Sequence, residues 1–195
     1  MKLLITGSLG FIASNFLLKL IKKKNYKIYS IDKHNYASNI NILKKLKNKK
    51  NFIHFKLDIS NYKKLKKKII EIKPDVVINF AAESHVDNSI LSPREFINSN
   101  IIGTFNLLEI LRELKIKKKI KLIHISTDEV YGDLQINSKL QFDENSNIKP
   151  NSPYSSSKAS SDMLVRAWNK TYNMPNIIVR SSNNYGPYQN NEKFI

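Results

Sequence analysis

A tyrosine and a lysine four residues apart are the side chains of this chain best suited to acid–base chemistry. Tyr154 and Lys158 fall one helical turn apart, so a helix over this segment places both on one face. A nearby ammonium group favours the phenolate, and we expect it to lower the pKa of Tyr154 from the free value of about 10. A phenolate beside a nicotinamide can take an alcohol proton while a hydride leaves the carbon. The pair predicts an oxidation step.

Two adjacent carboxyl groups, Asp128 and Glu129, follow Thr127 at the end of a β-branched run. One carboxyl can protonate a leaving group while its neighbour removes a proton from carbon. The pair therefore predicts a second proton-transfer step, such as loss of water, that a plain dehydrogenase does not need. The same residues also suit a helix N-terminus, where threonine caps free N–H groups and acids face the positive end of the helix dipole.

A glycine-rich turn follows the first predicted strand and precedes the first predicted helix. Gly7 permits the tight turn, Gly10 lets the backbone approach a pyrophosphate, and Ala13 takes the third, packing position. Asp32 lies 22 residues after Gly10, at the end of the second predicted strand. An acid there holds a ribose diol and repels a 2′-phosphate, which predicts NAD rather than NADP, although Lys33 weakens this preference. The alternatives are an ordinary glycine turn between strand and helix, and a structural role for Asp32 as a turn residue at the strand end.

Two further strand ends carry polar or small residues. Asp58 either contacts an adenine ring, together with Ile59, or caps the helix that follows. The segment 79–87, Asn-Phe-Ala-Ala-Glu-Ser-His-Val-Asp, leaves the fourth predicted strand at the edge where open α/β sheets bind ligands. The small Ala81 and Ala82 would let a cofactor approach the backbone. The polar side chains of this segment are either ligand contacts or loop and helix-capping groups.

Short β-branched runs alternate with helical periodicity along the chain. We expect strands over 2–6, 27–32, 52–57, 75–80, 120–126 and 176–180. We expect helices over 11–24, 61–73, 93 to about 114 and 154–172, a loop and helix within 35–50, and Ser60 as a helix cap. This alternation predicts an α/β fold with a doubly wound, Rossmann-like parallel sheet in one domain spanning 1–195. The polar connection 132–153 is longer than an ordinary loop.

Composition excludes several classes of site. The chain has no cysteine, which excludes disulfides, thiolate nucleophiles and cysteine metal sites, and its four histidines lack metal-ligand spacing. We therefore expect no metal. No apolar run approaches the roughly 18 residues of a membrane span, and the N-terminal apolar run is too short for a signal peptide. We expect a cytoplasmic protein that does not enter a membrane.

The net charge of +17 raises the question of nucleic-acid binding. Only four of the 33 basic residues are arginine, the side chain that most often reads bases. The lysines fall mainly on the polar faces and ends of predicted helices. We expect no specific nucleic-acid partner, and weak, salt-sensitive binding of polyanions is the alternative.

Four segments resemble the extended short-chain dehydrogenase/reductase family, and within it the nucleotide-sugar 4,6-dehydratases. They are Ala-Ala-Glu-Ser-His-Val-Asp at 81–87, Ser-Thr-Asp-Glu-Val-Tyr-Gly-Asp at 126–133, Ser-Pro-Tyr-Ser-Ser-Ser-Lys-Ala-Ser-Ser-Asp at 152–162, and Ser-Asn-Asn-Tyr-Gly-Pro-Tyr at 182–188. The resemblance covers all 195 residues. It implies NAD as cofactor, dTDP-glucose as substrate, and a homodimer through the helices around Asn98–Leu114 and Tyr154–Tyr172. Asn88, where the family has arginine, is one departure.

The resemblance also implies a role for each reactive group. Tyr154, helped by Lys158, would deprotonate the C4 hydroxyl of the glucose while hydride goes to NAD. Glu129 would remove the C5 proton and Asp128 would protonate the departing C6 hydroxyl. Hydride would return to C6, giving a 4-keto-6-deoxy sugar. Thr127 would bond the substrate near C4.

Binding residues follow from the same resemblance. Further substrate contacts would be Ser84, Asn183 and Lys193. Cofactor contacts, with Gly7 and Gly10 of the turn, would be Phe11, Ile12, Asp32, Lys33, Asp58, Ile59, Phe80, Ala81, Ala82, Glu83, Ser84, Ser99, Tyr154, Lys158 and Asn184. Family members are much longer, and their C-terminal part clasps the nucleotide. The resemblance thus implies a catalytic domain whose substrate domain is largely missing beyond residue 195. Half of a split enzyme and a non-catalytic NAD-binding fragment are the alternatives.

Overall fold

A single parallel sheet organises the chain. The computed structural model describes residues 1–46, 48–114, 119–135, 137 and 139–190. Its six strands lie side by side in the order β3-β2-β1-β4-β5-β6, which confirms the predicted doubly wound class. The strands are β1 (Lys2–Thr6), β2 (Lys27–Asp32), β3 (Phe52–Lys56), β4 (Val76–Asn79), β5 (Lys121–Thr127) and β6 (Asn176–Ser181).

Helices connect the strands, and each connection returns the chain in the same direction. They are α1 (Phe11–Leu20), α2 (Asn41–Leu46), α3 (Tyr62–Ile72), α4 (Val86–Leu91), α5 (Pro93–Phe96), α6 (Gly103–Leu114) and α7 (Pro153–Tyr172). A π-helical turn, Ile97–Ile102, joins α5 to α6, and a 3₁₀ turn, Asp128–Tyr131, follows β5.

Two apolar cores lie on the two faces of the sheet. Neighbouring residues of one strand point to opposite faces. Accordingly, Leu4 packs in the cluster that includes α3, α6 and α7 residues, whereas Ile5 packs in the cluster that includes Leu17 of α1 and Ile42 of α2. The order places β1 beside β4, where the direction of winding reverses. In open α/β sheets this reversal opens a crevice at the carboxyl ends of the strands.

Several predicted boundaries were wrong. The first helix ends at Leu20 rather than at 24. Ile21, its C-cap, is the last buried residue of this segment, and residues 22–24 are exposed, so no packing against the core stabilises a longer helix. The cap of α3 is Asn61, whose side chain accepts the Lys64 N–H at 3.1 Å, and not Ser60. The helix within 35–50 is restricted to α2, and α4 was not predicted.

The long helix predicted from Pro93 exists, but it is interrupted by the π-helical turn. This turn buries Asn100, whose side-chain oxygen accepts the Glu83 N–H at 2.8 Å. The amide nitrogen of Asn100 donates to the Glu83 carbonyl at 3.0 Å and to the Ser157 hydroxyl at 2.8 Å. Asn100 therefore ties the loop after β4 to the helix that carries Tyr154. Such turns often lie at functional sites.

The described helices include none that is long and apolar enough to cross a membrane. Within the same residues, no group of three or more histidine, aspartate or glutamate side chains converges as a metal site would require.

A chain of hydrogen bonds links the glycine turn to two strands. The Ser8 and Ser30 hydroxyls lie 2.6 Å apart, and the Ser30 oxygen lies 2.7 Å from Nδ1 of His54. Nε2 of His54 lies 2.8 Å from Nε2 of His34. Burial and, to a smaller extent, the charge of His34 lower the pKa of His54 to about 4, against the opposing charge of Asp32. One of the two facing nitrogens must be unprotonated for this hydrogen bond to exist.

We predict that the chain loses stability as the pH falls from about 6.5 towards 4. In that range His54 is protonated in the unfolded chain but neutral in the folded chain. Unfolding therefore takes up about one proton, and a lower pH favours the unfolded state. Above pH 6.5 this contribution is constant. Urea unfolding at a series of pH values measures it. His54→Phe should flatten the slope, leaving the part due to buried His124, whose pKa is also lowered by burial. The same slope in both proteins would contradict this.

Candidate active site

A cleft of about 420 Å³ opens at the carboxyl ends of the strands. It gathers most of the residues expected to bind or react. Those lining it are Gly7, Gly10, Phe11, Ile12, Asp32, Lys33, Asp58, Ile59, Phe80, Ala81, Ala82, Ser84, Ser99, Thr127, Glu129, Tyr154, Lys158, Asn183 and Asn184. Glu83 and Asp128 lie next to this wall and not in it. Lys193 falls outside the described residues.

The glycine turn presses against the backbone that follows β4. Gly7 has a φ of +63°, and a Cβ built on it would lie 2.5 Å from the Cα of Ala81. Both the dihedral angle and the lack of space therefore require glycine. The Gly10 N–H donates to the Gly7 carbonyl at 3.2 Å and begins α1, with no side chain capping that end. The free N–H groups of the first turn of α1 suit a pyrophosphate, so this cradle fits a dinucleotide.

Asp32 lines the cleft and also forms hydrogen bonds to the two loops that border it. Its Oδ2 accepts the Leu9 N–H at 2.9 Å, which fixes the glycine turn. Its Oδ1 accepts the His34 N–H at 2.9 Å and the Ser38 hydroxyl at 2.7 Å, which fixes the loop after β2. The buried carboxylate therefore has the role of a strand-end turn residue, and it also fixes the glycine turn, which the sequence did not indicate. Its contact with a ribose remains a prediction.

The positive charge of Lys33 is paired with a carboxylate of the protein. Its ammonium forms an ion pair with Glu83 and donates to the Ser99 hydroxyl at 3.1 Å. Asn35 also donates to the Glu83 carboxylate, at 3.0 Å. Glu83 is therefore a partner of Lys33, which explains its place beside the wall. Because Glu83 offsets the positive charge, Lys33 weakens the preference for NAD less than its sequence position indicates.

The side chain of Asp58 caps a turn. Its Oδ1 accepts the Ser60 N–H at 2.8 Å in the turn before α3, whereas α3 itself is capped by Asn61, so the alternative in which Asp58 caps this helix was wrong. The residue also lines the cleft, and an adenine contact there stays a prediction.

The start of α7 positions the tyrosine and the lysine. Ser152 and Ser155 form a reciprocal capping box, and Pro153 occupies the first turn. Tyr154 and Lys158 are then buried together on the side facing the sheet. The ammonium of Lys158 donates to the Ile125 carbonyl of β5 at 2.6 Å. This bond fixes the lysine at the end of the strand that carries Thr127.

The pKa of Tyr154 shifts in the direction opposite to the expectation. Burial raises it above the ordinary phenol value and the Glu129 carboxylate raises it further, while a hydrogen bond with Thr127 opposes the shift. The expectation considered Lys158 alone and left out burial and the neighbouring acids. Burial lowers the pKa of Lys158 to about 8, against the charge of Asp162. The protein groups alone thus keep the phenol protonated, and additional positive charge in the cleft would be needed to release its proton.

Thr127, Asp128 and Glu129 form a turn capped by the threonine, which is the second of the two interpretations given to this segment. The Thr127 hydroxyl accepts the Glu129 N–H at 3.3 Å and donates to the Asp128 carboxylate at 3.3 Å. This cap starts the 3₁₀ turn and directs Glu129 to the cleft wall, with Asp128 beside it. Capping and a reactive role are compatible here.

A buried ion pair supports α7 from behind, and sequence reasoning missed it. Asp162 is fully buried and accepts Nε–H of Arg180 at 2.8 Å, while Nη1 of Arg180 donates to the Tyr131 hydroxyl at 2.7 Å. Asp162 follows Lys158 by one helical turn and favours its charged form. A lone aspartate on a helix gives no sequence signal for this role.

Other cleft residues were also missed. They are Ile31, Asn35, Ala37, Ser38, Leu57, Ile125, Ser126, Ser181, Ser182, Tyr188, Gln189 and Asn190. Their positions after Asp32 and at the ends of β5 and β6 could have indicated many of them. Residues 188–190 reach the cleft because the chain folds back, with the Pro187 carbonyl accepting from Asn15 at 2.7 Å. No sequence signal marks that return.

Known proteins are similar to this chain in sequence and in fold. A sequence model described as GDP-mannose 4,6 dehydratase matches residues 4–195. The chain is 44% identical to the dTDP-glucose 4,6-dehydratase of Salmonella typhimurium over its whole length, but it spans only 58% of that relative. It is also similar to two solved dTDP-glucose 4,6-dehydratases with NAD bound. The Bacillus anthracis structure has 43% identity and a TM-score of 0.85, covering 99% of this chain and 58% of its own. The Streptomyces venezuelae double mutant has 36% identity and a TM-score of 0.92, covering 100% and 60%.

We predict that Gly7→Ala destabilises the chain by at least about 2 kcal/mol, because it adds left-handed strain and a clash with rigid backbone. Gly10→Ala is the control. Gly10 has an ordinary φ of −67°, and a Cβ there would meet only the Gly7 carbonyl oxygen, at 3.3 Å. We expect it to cost about 1 kcal/mol or less. Urea unfolding measures both, and equal losses would show that close packing of Gly7 does not control the turn.

Proposed function

The chain belongs to the GDP-mannose 4,6-dehydratase family, and we propose that it acts in the 4,6-dehydration of dTDP-glucose with NAD as cofactor. The observation that carries this proposal is the meeting of Thr127, Glu129, Tyr154 and Lys158 in one cleft with the glycine turn. The chain spans 58% of the Salmonella relative, so the activity of the whole protein is part of the proposal. We infer that residues 1–195 form the cofactor-binding and reactive domain.

The cleft has the features that a dinucleotide needs. The free N–H groups of α1 would hold the pyrophosphate, and Asp32 would hold a ribose diol. The ends of β2 and β3 would then lie beside the adenosine half. When bound, oxidised NAD supplies a hydride acceptor and a positive charge. That charge would favour the phenolate of Tyr154 and so offset the effect of burial and Glu129.

Each reactive group then has one task. Tyr154 would take the proton of the C4 hydroxyl, while the Lys158 ammonium, kept charged by Asp162, stabilises the phenolate. Thr127 would bond the same sugar hydroxyl. Glu129, in the cleft wall, would remove the C5 proton made acidic by the 4-keto group. Asp128, beside it, would protonate the departing C6 hydroxyl.

We also propose a homodimer through α6 and α7. Three apolar side chains on these helices stay partly exposed: Phe105 at 38%, Met163 at 40% and Tyr172 at 39%. The rings of Phe105 and Tyr172 both contact Trp168, with centroids 5.9 and 5.5 Å away. A continuous aromatic surface of this kind suits a two-fold interface. The cytoplasmic location stays a prediction.

We predict that the chain binds NAD at least about tenfold more tightly than NADP, because the Asp32 carboxylate would face the 2′-phosphate. Titration calorimetry with each cofactor measures this ratio. Asp32→Asn keeps the size of the side chain and removes its charge, so the ratio should fall. Equal affinities in the unchanged protein, or tighter binding of NADP, would contradict the assignment of Asp32.

We predict a separation of two chemical steps in a chimera. It joins residues 1–195 to the remaining C-terminal part of the Salmonella dTDP-glucose 4,6-dehydratase, which supplies the length that this chain does not span. With dTDP-glucose and NAD, the chimera should release a 4-keto-6-deoxy product. Residues 1–195 alone should be slower by orders of magnitude, since remote contacts to the nucleotide orient the sugar.

In this chimera, Tyr154→Phe should slow NADH formation in a single turnover by about 100-fold or more. Asp128→Asn combined with Glu129→Gln should still form NADH but accumulate it, because loss of water is blocked. Absorbance at the NADH band follows both. A carboxyl double mutant that binds both ligands yet forms no NADH would refute this division of roles. A chimera that binds NAD but forms no 4-keto sugar would favour a cofactor-binding function alone.

A further inference from the structure

Ser126 lines the cleft, and its buried hydroxyl has no hydrogen-bond partner among the described residues. Ser126 is only 6% exposed and is the penultimate residue of β5. A hydroxyl that loses its water without gaining a partner destabilises the folded chain. Buried polar groups are nearly always satisfied, so this one needs an explanation.

Neighbouring polar groups of the wall differ from Ser126 in this respect. The Thr127 hydroxyl contacts both carboxyl residues of the 3₁₀ turn, and the Lys158 ammonium donates to the Ile125 carbonyl. The Ser126 hydroxyl keeps one donor and two lone pairs available. It therefore has full capacity for a polar group of a molecule in the cleft.

The place of Ser126 in the sheet indicates which part of a ligand it meets. Asp32 and Asp58 lie at the ends of β2 and β3, whereas Ser126 lies at the end of β5, across β1 and β4 from them. Tyr154 and Lys158 line the same side of the cleft as β5. A dinucleotide with its adenosine half at Asp32 and its pyrophosphate at α1 would extend its nicotinamide half towards Ser126.

We propose that Ser126 is a positioning residue whose hydroxyl binds the carboxamide of the nicotinamide. This inference rests on the proposed function, since it requires NAD in the cleft. A carboxamide offers both a donor and an acceptor to a hydroxyl. The bond would fix the rotation of the nicotinamide ring relative to Tyr154, and so the face of the ring turned to the sugar.

Ser14 provides a matched control. It lies in α1, is fully buried, and its hydroxyl also lacks a partner among the described residues. Unlike Ser126, it is not part of the cleft wall. Ser14→Ala and Ser126→Ala thus remove the same kind of group, but only Ser126 belongs to a residue that lines the cleft.

The test measures NAD and ADP-ribose binding by titration calorimetry, and thermal unfolding without ligand, for the unchanged chain and both variants. Ser126→Ala should weaken NAD binding by about three- to tenfold, the loss of one hydrogen bond. It should leave the affinity for ADP-ribose, which lacks the nicotinamide, unchanged. Ser14→Ala should alter neither affinity. Both variants should unfold at the same or a higher temperature, since neither loses a hydrogen bond within the protein.

The possible failures are distinguishable. Unchanged NAD affinity in Ser126→Ala would overturn this inference alone, and so would an equal loss for NAD and ADP-ribose. A lower unfolding temperature for Ser126→Ala than for Ser14→Ala would show that the hydroxyl serves the fold instead. No NAD binding by the unchanged chain would overturn the proposed function, and this inference with it.

Discussion

The contact between Gly7 and the backbone of Ala81 is the constraint from which the rest of the cleft follows. A Cβ at Gly7 would lie 2.5 Å from two atoms of Ala81, so the turn after β1 and the strand end after β4 approach as closely as two backbones can. This approach occurs where the winding of the sheet reverses. It directs the N-terminus of α1 over the crevice, and Asp32 secures the arrangement through the Leu9 N–H.

On the reactive side of the cleft, burial and neighbouring charges have opposing effects on the pKa values of Tyr154 and Lys158. Burial and Glu129 raise the pKa of Tyr154, and burial lowers the pKa of Lys158 to about 8. Asp162, itself held by Arg180, supports the charge of the lysine. In our account the phenol keeps its proton until a cation shares the cleft. Under the proposed function, proton removal from the sugar would thereby be coupled to the presence of an oxidised cofactor.

The elements of the fold could be predicted because local chemistry defines them. The β-branched runs, the glycine turn and Pro153 each specify a conformation without help from distant residues. The network of Asn100, Glu83 and Ser157 could not be predicted, because it depends on a π-helical turn that brings three separate elements together. Long-range packing also decides helix ends such as Leu20.

In the site, as in the fold, features set by local sequence could be predicted and features set by long-range packing could not. Strand-end positions indicated Thr127, Glu129 and several other residues that line the cleft, since carboxyl ends of parallel strands share one edge, and the family resemblance supplied further ones. The direction of the Tyr154 pKa was predicted wrongly, because sequence spacing reveals Lys158 but not burial. The hydrogen bond of Asp32 to the glycine turn and the unpartnered hydroxyl of Ser126 appear only when all neighbours are placed.

A crystal structure of this chain with NAD would test the central claim most directly. Our account predicts the dinucleotide in the cleft, with its pyrophosphate at the N-terminus of α1, its adenosine ribose at Asp32 and its nicotinamide beside Tyr154 and Lys158. A dinucleotide bound elsewhere, or with its two halves reversed, would contradict the account.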